Sequence, residues 1–345
     1  MAEPTSISFG KGISDHLLRE DFGSVSTTVA QAPGLSFRIA LPKRWRRLAG
    51  ISAEPLKEGE FALAAGFMAN PEISVQVLAT ALPYEVNLAD WLEFQAHLHG
   101  FAISDLISGD TAFGQAVHAV GRGGDGARLR LLAKGNGPHV TLLMARMPAN
   151  ESEMCWETLG LAAASFEFSG PCNLKTREPL EEFTDRDGLF RVRYPKSWSF
   201  DTEDGLRPHK AGVNFRIVTE SETTAYLRVE ADARISLDAT GMEQLFQLTL
   251  SEVGEAGVTV KELDPLPPGQ GGADKERWLG ECMLPSGPGQ MALLFRPGPF
   301  CWFSAVMLCP DKTRNPLAWM RAKRFYEIAV ASLAPVEDLP PEPRT

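Results

Sequence analysis

The chain has little of what a chemical centre usually requires. Its five cysteines (Cys155, Cys172, Cys282, Cys301, Cys309) are odd in number and include no C-x-x-C pair. That argues against a disulfide framework and a thiolate metal cage, and favours a reducing cytoplasm. No H-E-x-x-H, G-x-S-x-G or Walker A sequence occurs, so the common signatures of zinc proteases, serine hydrolases and P-loop enzymes are missing. No apolar run has the length of a membrane-spanning helix. The opening MAEPTSISFGKGISDHLL lacks a basic stretch followed by an apolar one, so neither membrane insertion nor a secretory leader is expected. Positive charge is short as well: 34 Lys and Arg against 44 Asp and Glu leave a net −10, which repels nucleic-acid phosphates. None of these patterns calls for a cofactor.

What is present is a globular composition, 44% hydrophobic and 23% charged over 345 residues. That length exceeds one ordinary domain and suits two units of roughly 150 residues. Residues 1–170 and the remainder each carry a surplus of five acidic side chains, as two similar domains would.

An internal repeat organises the chain. Phe37-Arg38-Ile39-Ala40-Leu41-Pro42-Lys43-Arg44-Trp45 aligns without gaps on Phe190-Arg191-Val192-Arg193-Tyr194-Pro195-Lys196-Ser197-Trp198. Each reads as a short alternating strand stopped by a proline, which has no N–H to donate to a ladder. The order downstream repeats too. Strands are expected at 61–68 and 73–81, then a helix capped by Asn87, then strands at 101–108, 112–120, 127–133 and 140–147. A last helix is expected to start near Asn150, with Glu153 completing a capping box. The second half gives strands at 213–218 and 226–231, and a helix through Met242, Leu245, Phe246, Thr249 and Val253. Strands at 258–263, 275–283, 291–295 and 301–308 follow, then a helix opening on Asn315-Pro316. The ends match, Ala163-Ala164-Ser165-Phe166 against Val330-Ala331-Ser332-Leu333.

The expected fold class is therefore α+β: two tandem modules, each an antiparallel sheet packed against helices in the order βββαββββα. The expected boundaries are an N-terminal segment 1–30 with a short helix near 15–21, a first module 31–168 and a polar linker 169–188. A second module 189–334 and an unstructured Pro-rich tail 335–345 complete the chain.

A strand running into P-x-x-W (42–45 and 195–198), antiparallel strands, a mid-chain helix and a closing helix ending A-x-S-[FL] resemble the PsbP-like superfamily. That superfamily includes the photosystem II P subunit, a Ran-binding nuclear-import cofactor, DcrB-type bacterial proteins and Eag-type chaperones of type VI secretion. The resemblance spans nearly the whole chain, twice. It implies an antiparallel sheet between helices, and protein binding as the common activity. It carries over no catalytic residue, because the superfamily shares no catalytic constellation.

Several motifs have plainer readings. Gly121, Gly123 and Gly126 satisfy G-x-G-x-x-G, but the alternating run after them is a strand and not a helix, so a hairpin turn is expected. The basic run Lys43, Arg44, Arg46 and Arg47 around Trp45 reads as a solvated strand exit, and Arg321, Lys323 and Arg324 as a solvated helix face. His97 and His99 diverge at i, i+2 on a helix, so no metal site is expected. Glu178, Glu181, Glu182, Asp185 and Asp187 read as solvated linker charge.

Apolar residues in the late strands are the remaining candidates. Residues 301–308 are apolar on both faces, and Met144, Met147, Met283, Met291 and Met307 gather in late strands. Flexible methionines suit adaptable surfaces, although core packing is their commoner use. The candidate client-binding residues are Leu142, Met144, Trp302, Phe303 and Met307. Pro42, Trp45, Pro195 and Trp198 are structural anchors of the repeat. The expected function is a non-enzymatic, cytoplasmic, bacterial adaptor or chaperone with a protein client. The resemblance points to a secretion-system effector or its apolar segment, and the oligomeric state is left open. An enzyme with a dispersed site, such as a hydrolase, and a structural subunit of a larger assembly are the alternatives.

The missing metal and disulfide spacings have a direct consequence. The melting temperature should be the same with and without EDTA or dithiothreitol. A fall of several degrees with either reagent in differential scanning fluorimetry would contradict this reading.

Overall fold

The computed structural model describes residues 21–29, 32–48, 56–57, 60–111, 113–171, 176–202, 210–219, 222–266 and 276–336. The chain divides into two units, Met1–Glu178 and Pro179–Thr345. In unit 1 the strands are β1 Phe22–Thr27, β2 Phe37–Pro42, β3 Arg46–Leu48, β4 Ala62–Asn70 and β5 Ile73–Ala81. Helix α1 Leu88–Leu98 follows, then β6 Ala102–Thr111, β7 Gly114–Arg122, β8 Arg128–Asn136, β9 His139–Met147, helix α2 Glu153–Ala164 and β10 Glu167–Phe168. Unit 2 repeats this as β11 Leu180–Thr184, β12 Arg191–Pro195, β13 Ser199–Thr202, β14 Lys210–Thr219 and β15 Glu222–Asp232. Helix α3 Ala239–Glu255, β16 Thr259–Pro265, β17 Glu276–Leu284, β18 Gly287–Pro297, β19 Trp302–Pro310 and helix α4 Pro316–Ser332 complete it.

The seven-stranded antiparallel sheets have matching orders, β3-β4-β5-β9-β8-β7-β6 and β13-β14-β15-β19-β18-β17-β16. The protein is an α+β chain of two tandem modules. Beside the large sheets lie β1-β2-β10 in unit 1 and β11-β12 in unit 2. A bridge from Arg191 to Ala334 takes the place that β10 occupies on β2.

The repeat extends to single hydrogen bonds. The Trp45 N–H donates to the Pro42 carbonyl at 2.9 Å and the Trp198 N–H to Pro195 at 3.0 Å. The Ala40 N–H donates to Ser165 Oγ at 2.9 Å, and the Arg193 N–H to Ser332 Oγ at 2.9 Å. In each unit the serine ending the last helix thus ties that helix to the opening strand, and satisfies a backbone donor that the small sheet leaves over. Asn87 and Asn315 cap their helices, accepting from Ala89 N and Ala318 N.

Some expectations need correction. Each unit has more strands than βββαββββα: β1, β3, β10, β11 and β13 are short or polar, and pair at edges where an apolar alternation is not required. The described residues among 169–188 belong to the two units and not to a free linker. Within them β11 pairs with β12, and Arg177 and Glu178 are buried. Glu178 Oε1 accepts the Glu85 N–H at 3.0 Å, and the Glu85 carboxylate accepts the Arg177 N–H. The N-cap of α2 is Ser152, which accepts from Cys155 N, so Asn150 and a Glu153 box play no part. Arg321 is buried and donates to Ser197 Oγ at 3.0 Å, not solvated. The expected helix near 15–21 and most of the tail fall outside the described residues. The G-x-G-x-x-G segment is the β7–β8 hairpin turn, with Gly126 at φ 81.

In unit 1 a main core lies between the large sheet and the last helix; in unit 2 one core lies under α4 and another, around Leu245, Val253, Met291, Phe295 and Trp302, under α3. In unit 1, Phe37 and Phe166 meet at 5.0 Å. In unit 2, Trp198 packs edge-on against Phe325 at 4.4 Å, and Phe215 against the same ring at 5.1 Å. Trp198 is buried, whereas its counterpart Trp45 only borders its core. Trp198→Ala should therefore cost about 3–5 kcal/mol in chemical denaturation, and Trp45→Ala clearly less. Equal losses would show that both rings are anchored alike.

His118 on β7 is buried, and burial first, then Arg130, pushes its pKa down to about 4. Its folded value lies below the unfolded one near 6.5, so the unfolded chain takes up the proton first. Stability is full above pH 6.5 and is lost as the pH falls toward 4. His118→Gln should flatten that part of a pH–stability curve; an unchanged slope would place the titration elsewhere.

Candidate binding face

Alternation gives every strand of the large sheets two faces. One carries the last helix: α2 packs on β8, β9 and β2, and α4 on β19, β15 and β12. The other face carries the middle helix. In unit 1, α1 packs on β6, β7 and β8. In unit 2, Leu245, Phe246 and Val253 of α3 pack with residues of β16, β17 and β18. On this side β4 and β5, with Met144 of β9, keep half-buried residues; in unit 2 β14 and β15 do so at Asn214, Arg216, Tyr226 and Arg228, whereas Ser304 and Val306 of β19 are buried.

Among the described residues no helix packs extensively on this half-face, and register gives this bare surface in rows. In unit 1 the first row crosses the sheet as Arg46, Met68, Ser74 and Arg146. The second runs Leu48, Gly66, Gln76 and Met144, and the third Leu63, Leu78 and Leu142. Gly66 makes room for Leu48: a Cβ there would stand 3.0 Å from Leu48 Cδ1. The result is an apolar surface in which Met68, Leu78 and Met144 are half-buried and Leu142 is buried.

The same rows in unit 2 are Ser199, Arg216, Tyr226 and Leu308; then Asp201, Asn214, Arg228 and Val306; then Gly212, Glu230 and Ser304. Leu48 is replaced by Asp201, Met68 by Arg216 and Leu78 by Glu230. These charges answer one another. Arg228 donates to Glu252 of α3 at 2.8 Å and to Glu230, and Lys210 lies 3.0 Å from Glu230. Arg216 pairs with Asp201. Burial pushes the Glu230 carboxyl above its usual range, opposed by the pull of Arg228 and Lys210. Arg228 and Lys210 with Glu230 and Glu252 therefore form a neutral set of four, whose pairing opposes the desolvation of Glu230 without cancelling it.

The candidate residues separate in the structure. Leu142 and Met144 share the bare face of unit 1. Trp302 lies on the α3 side of β19, where its Nε1–H donates to the Ser236 carbonyl at 2.7 Å. Phe303 and Met307 lie on the opposite face, under α4. All three are buried, at 6%, 1% and 2% exposure, so no exposed patch forms from them. β19 is a central strand between β15 and β18, covered on both sides, which is why its two apolar faces are core. Sequence reasoning missed Leu48, Met68 and Leu78. Their signal lies in the repeat, where an apolar residue in one copy faces a charge in the other.

Burial pushes the Cys282 and Cys301 thiols up to about 11 and Cys309 up to about 12, far from thiolate reactivity at neutral pH. Among the described residues, no group of three or more His, Cys, Asp or Glu gathers to hold a metal ion. No described helix is long and apolar enough to cross a membrane.

No protein-family model matches the sequence, and no curated protein matches it. Among solved structures the chain is similar to cyanobacterial PsbP (CyanoP) from Synechocystis sp. PCC 6803, at 14% identity and a TM-score of 0.32. That match covers 48% of this chain and 98% of the other. It is also similar to the T6SS immunity protein TplEi from Pseudomonas aeruginosa complexed with "L" peptide, at 14% identity and a TM-score of 0.25, covering 91% of this chain and 98% of TplEi. A third similarity, to the Tle4–Tli4 complex, has 12% identity and a TM-score of 0.24 over 91% of this chain and 98% of the other. These are likenesses of fold.

Proposed function

We propose that this protein is a non-enzymatic adaptor or chaperone that binds a protein client through the bare half-face of unit 1. One observation carries the reading: at matching register positions unit 1 has Leu48, Met68 and Leu78 where unit 2 has Asp201, Arg216 and Glu230. Both copies face the same problem of a half-covered sheet, and only one resolves it internally. Leu48, Met68, Leu78 and Met144 form a contiguous apolar surface, the kind that on a soluble protein marks an interaction site. Two of the four are methionines, which adapt to varied partners.

The test uses a photo-crosslinking residue placed at Met144 or, as a control, at Tyr226 in the native host. Position 144 should capture a discrete protein and position 226 should not. Met144→Asp should weaken that partner's affinity at least tenfold, about 1.4 kcal/mol, while costing the fold less than about 1 kcal/mol, since the side chain is only half-buried. Absence of any crosslink from 144 would sink the reading, and turnover of a small substrate by the pure protein would replace it with an enzymatic one.

A further inference from the structure

The bare face of unit 1 has a basic border. Its first row begins on Arg46 of the edge strand β3 and reaches Arg146 on β9, both exposed. Three strand spacings separate them, roughly 14 Å. Arg146 is held by Asp125 of the β7–β8 turn, whose Oδ1 also accepts the Ala127 N–H at 3.2 Å. The border is specific to the unit with the apolar face. At the equivalent register positions unit 2 has Ser199 and Leu308, and the basic run Lys43, Arg44, Arg46, Arg47 is matched by Lys196, Ser197, Ser199, Phe200. Basic border and bare apolar rows thus occur together in one copy and are lost together in the other, within a chain of net charge −10.

Resting on the protein-binding reading above, we infer that the client segment for this face is acidic and amphipathic. Its carboxylates lie along the first row at Arg46 and Arg146, and its apolar side chains lie on Leu48, Met144 and Leu78. A carboxylate arriving at Arg146 competes with Asp125, which is exposed and tied to its own turn. The arginines give the segment its direction on the face and speed its capture, and the apolar rows hold it. An anionic lipid surface shares part of this chemistry, but the acidic remainder of the chain opposes approach to an extended negative plane.

The probes are fluorescein-labelled synthetic 16-residue amphipathic peptides, one with leucines and glutamates and one with leucines and lysines, and vesicles with and without phosphatidylserine. The full-length protein is titrated by fluorescence anisotropy at low and high salt. The expected result is at least tenfold tighter binding of the glutamate peptide, weakening with salt. The Arg46→Glu/Arg146→Glu double variant should lose at least tenfold for that peptide and gain for the lysine peptide. Lys196→Glu, a single charge reversal in unit 2, should stay within twofold of the parent, and melting curves check that each variant is folded. The inference is overturned if neither peptide binds, if both bind equally, or if only the anionic vesicles bind. Equal binding that Met144→Asp abolishes removes the acidic client and leaves the protein-binding face standing. A crosslink from position 144 to a segment poor in acidic residues does the same.

Discussion

A seven-stranded sheet is wider than one helix can cover, and most of what distinguishes the two halves of this protein follows from that. Seven strands at about 4.8 Å span roughly 29 Å, whereas a helix with its side chains is about 10–12 Å across. One face solves the problem with the last helix and the small sheet that Ser165 or Ser332 ties to it. The other face has one helix set toward the β6 or β16 edge, so part of it is left for the side chains to manage. Alternation forbids neglect, because residues on that face occupy every second position of strands whose other positions are core.

The two copies manage it differently. Unit 2 fills the bare half with charge, and the longer α3 supplies Glu252 to close the set. A buried carboxylate such as Glu230 is tolerable only while Arg228 and Lys210 stay in place, so that face is committed to its own partners. Removing any one member would leave an uncompensated charge in a poorly solvated site. Unit 1 fills the same rows mostly with leucine, methionine and a glycine, with Ser74 and Gln76 among them and Arg46 and Arg146 at the border. Nothing there demands an internal partner, and the solvent pays no electrostatic penalty for being displaced. The divergence of the repeat is therefore concentrated where packing does not dictate the residue, while the hydrogen bonds that set the module are kept.

Much of the fold was legible because it rests on local chemistry that repeats. Proline after an alternating strand, asparagine caps at 87 and 315, and the A-x-S ending all reappear as observed contacts. The strands that escaped notice, FGSVST, RRL and LEEFT, are edge strands whose side chains face water or a small sheet, so they carry no strong alternation. The candidate site was less legible, for a different reason. Apolar residues at 301–308 look like a surplus when burial is judged along the chain, and only the position of β19 between two strands and two helices accounts for them. Met144 and Leu142 were found, but the residues beside them belong to strands 60 to 100 positions earlier. A face built across strands is a property of register, which no single segment of sequence contains.

The asymmetry also limits how a client can be held. Duplicate modules invite the idea of two equal contacts and a gain in avidity, but here the second copy offers a saturated ionic surface in place of an apolar one. Affinity must then come mainly from one face. An apolar patch at the size usual for a monomer, roughly 300–600 Å², yields on the order of 10 kcal/mol gross at about 25 cal/mol per Å². Loss of translational and rotational freedom on association takes up about 4–15 kcal/mol of that. On the proposed reading, the apolar rows alone would thus leave a weak complex, and complementary charge at their border would decide both whether a client is retained and which clients are refused. On that reading, basic segments would be turned away by Arg46 and Arg146 before any apolar contact forms, so that selection on this face would precede adhesion.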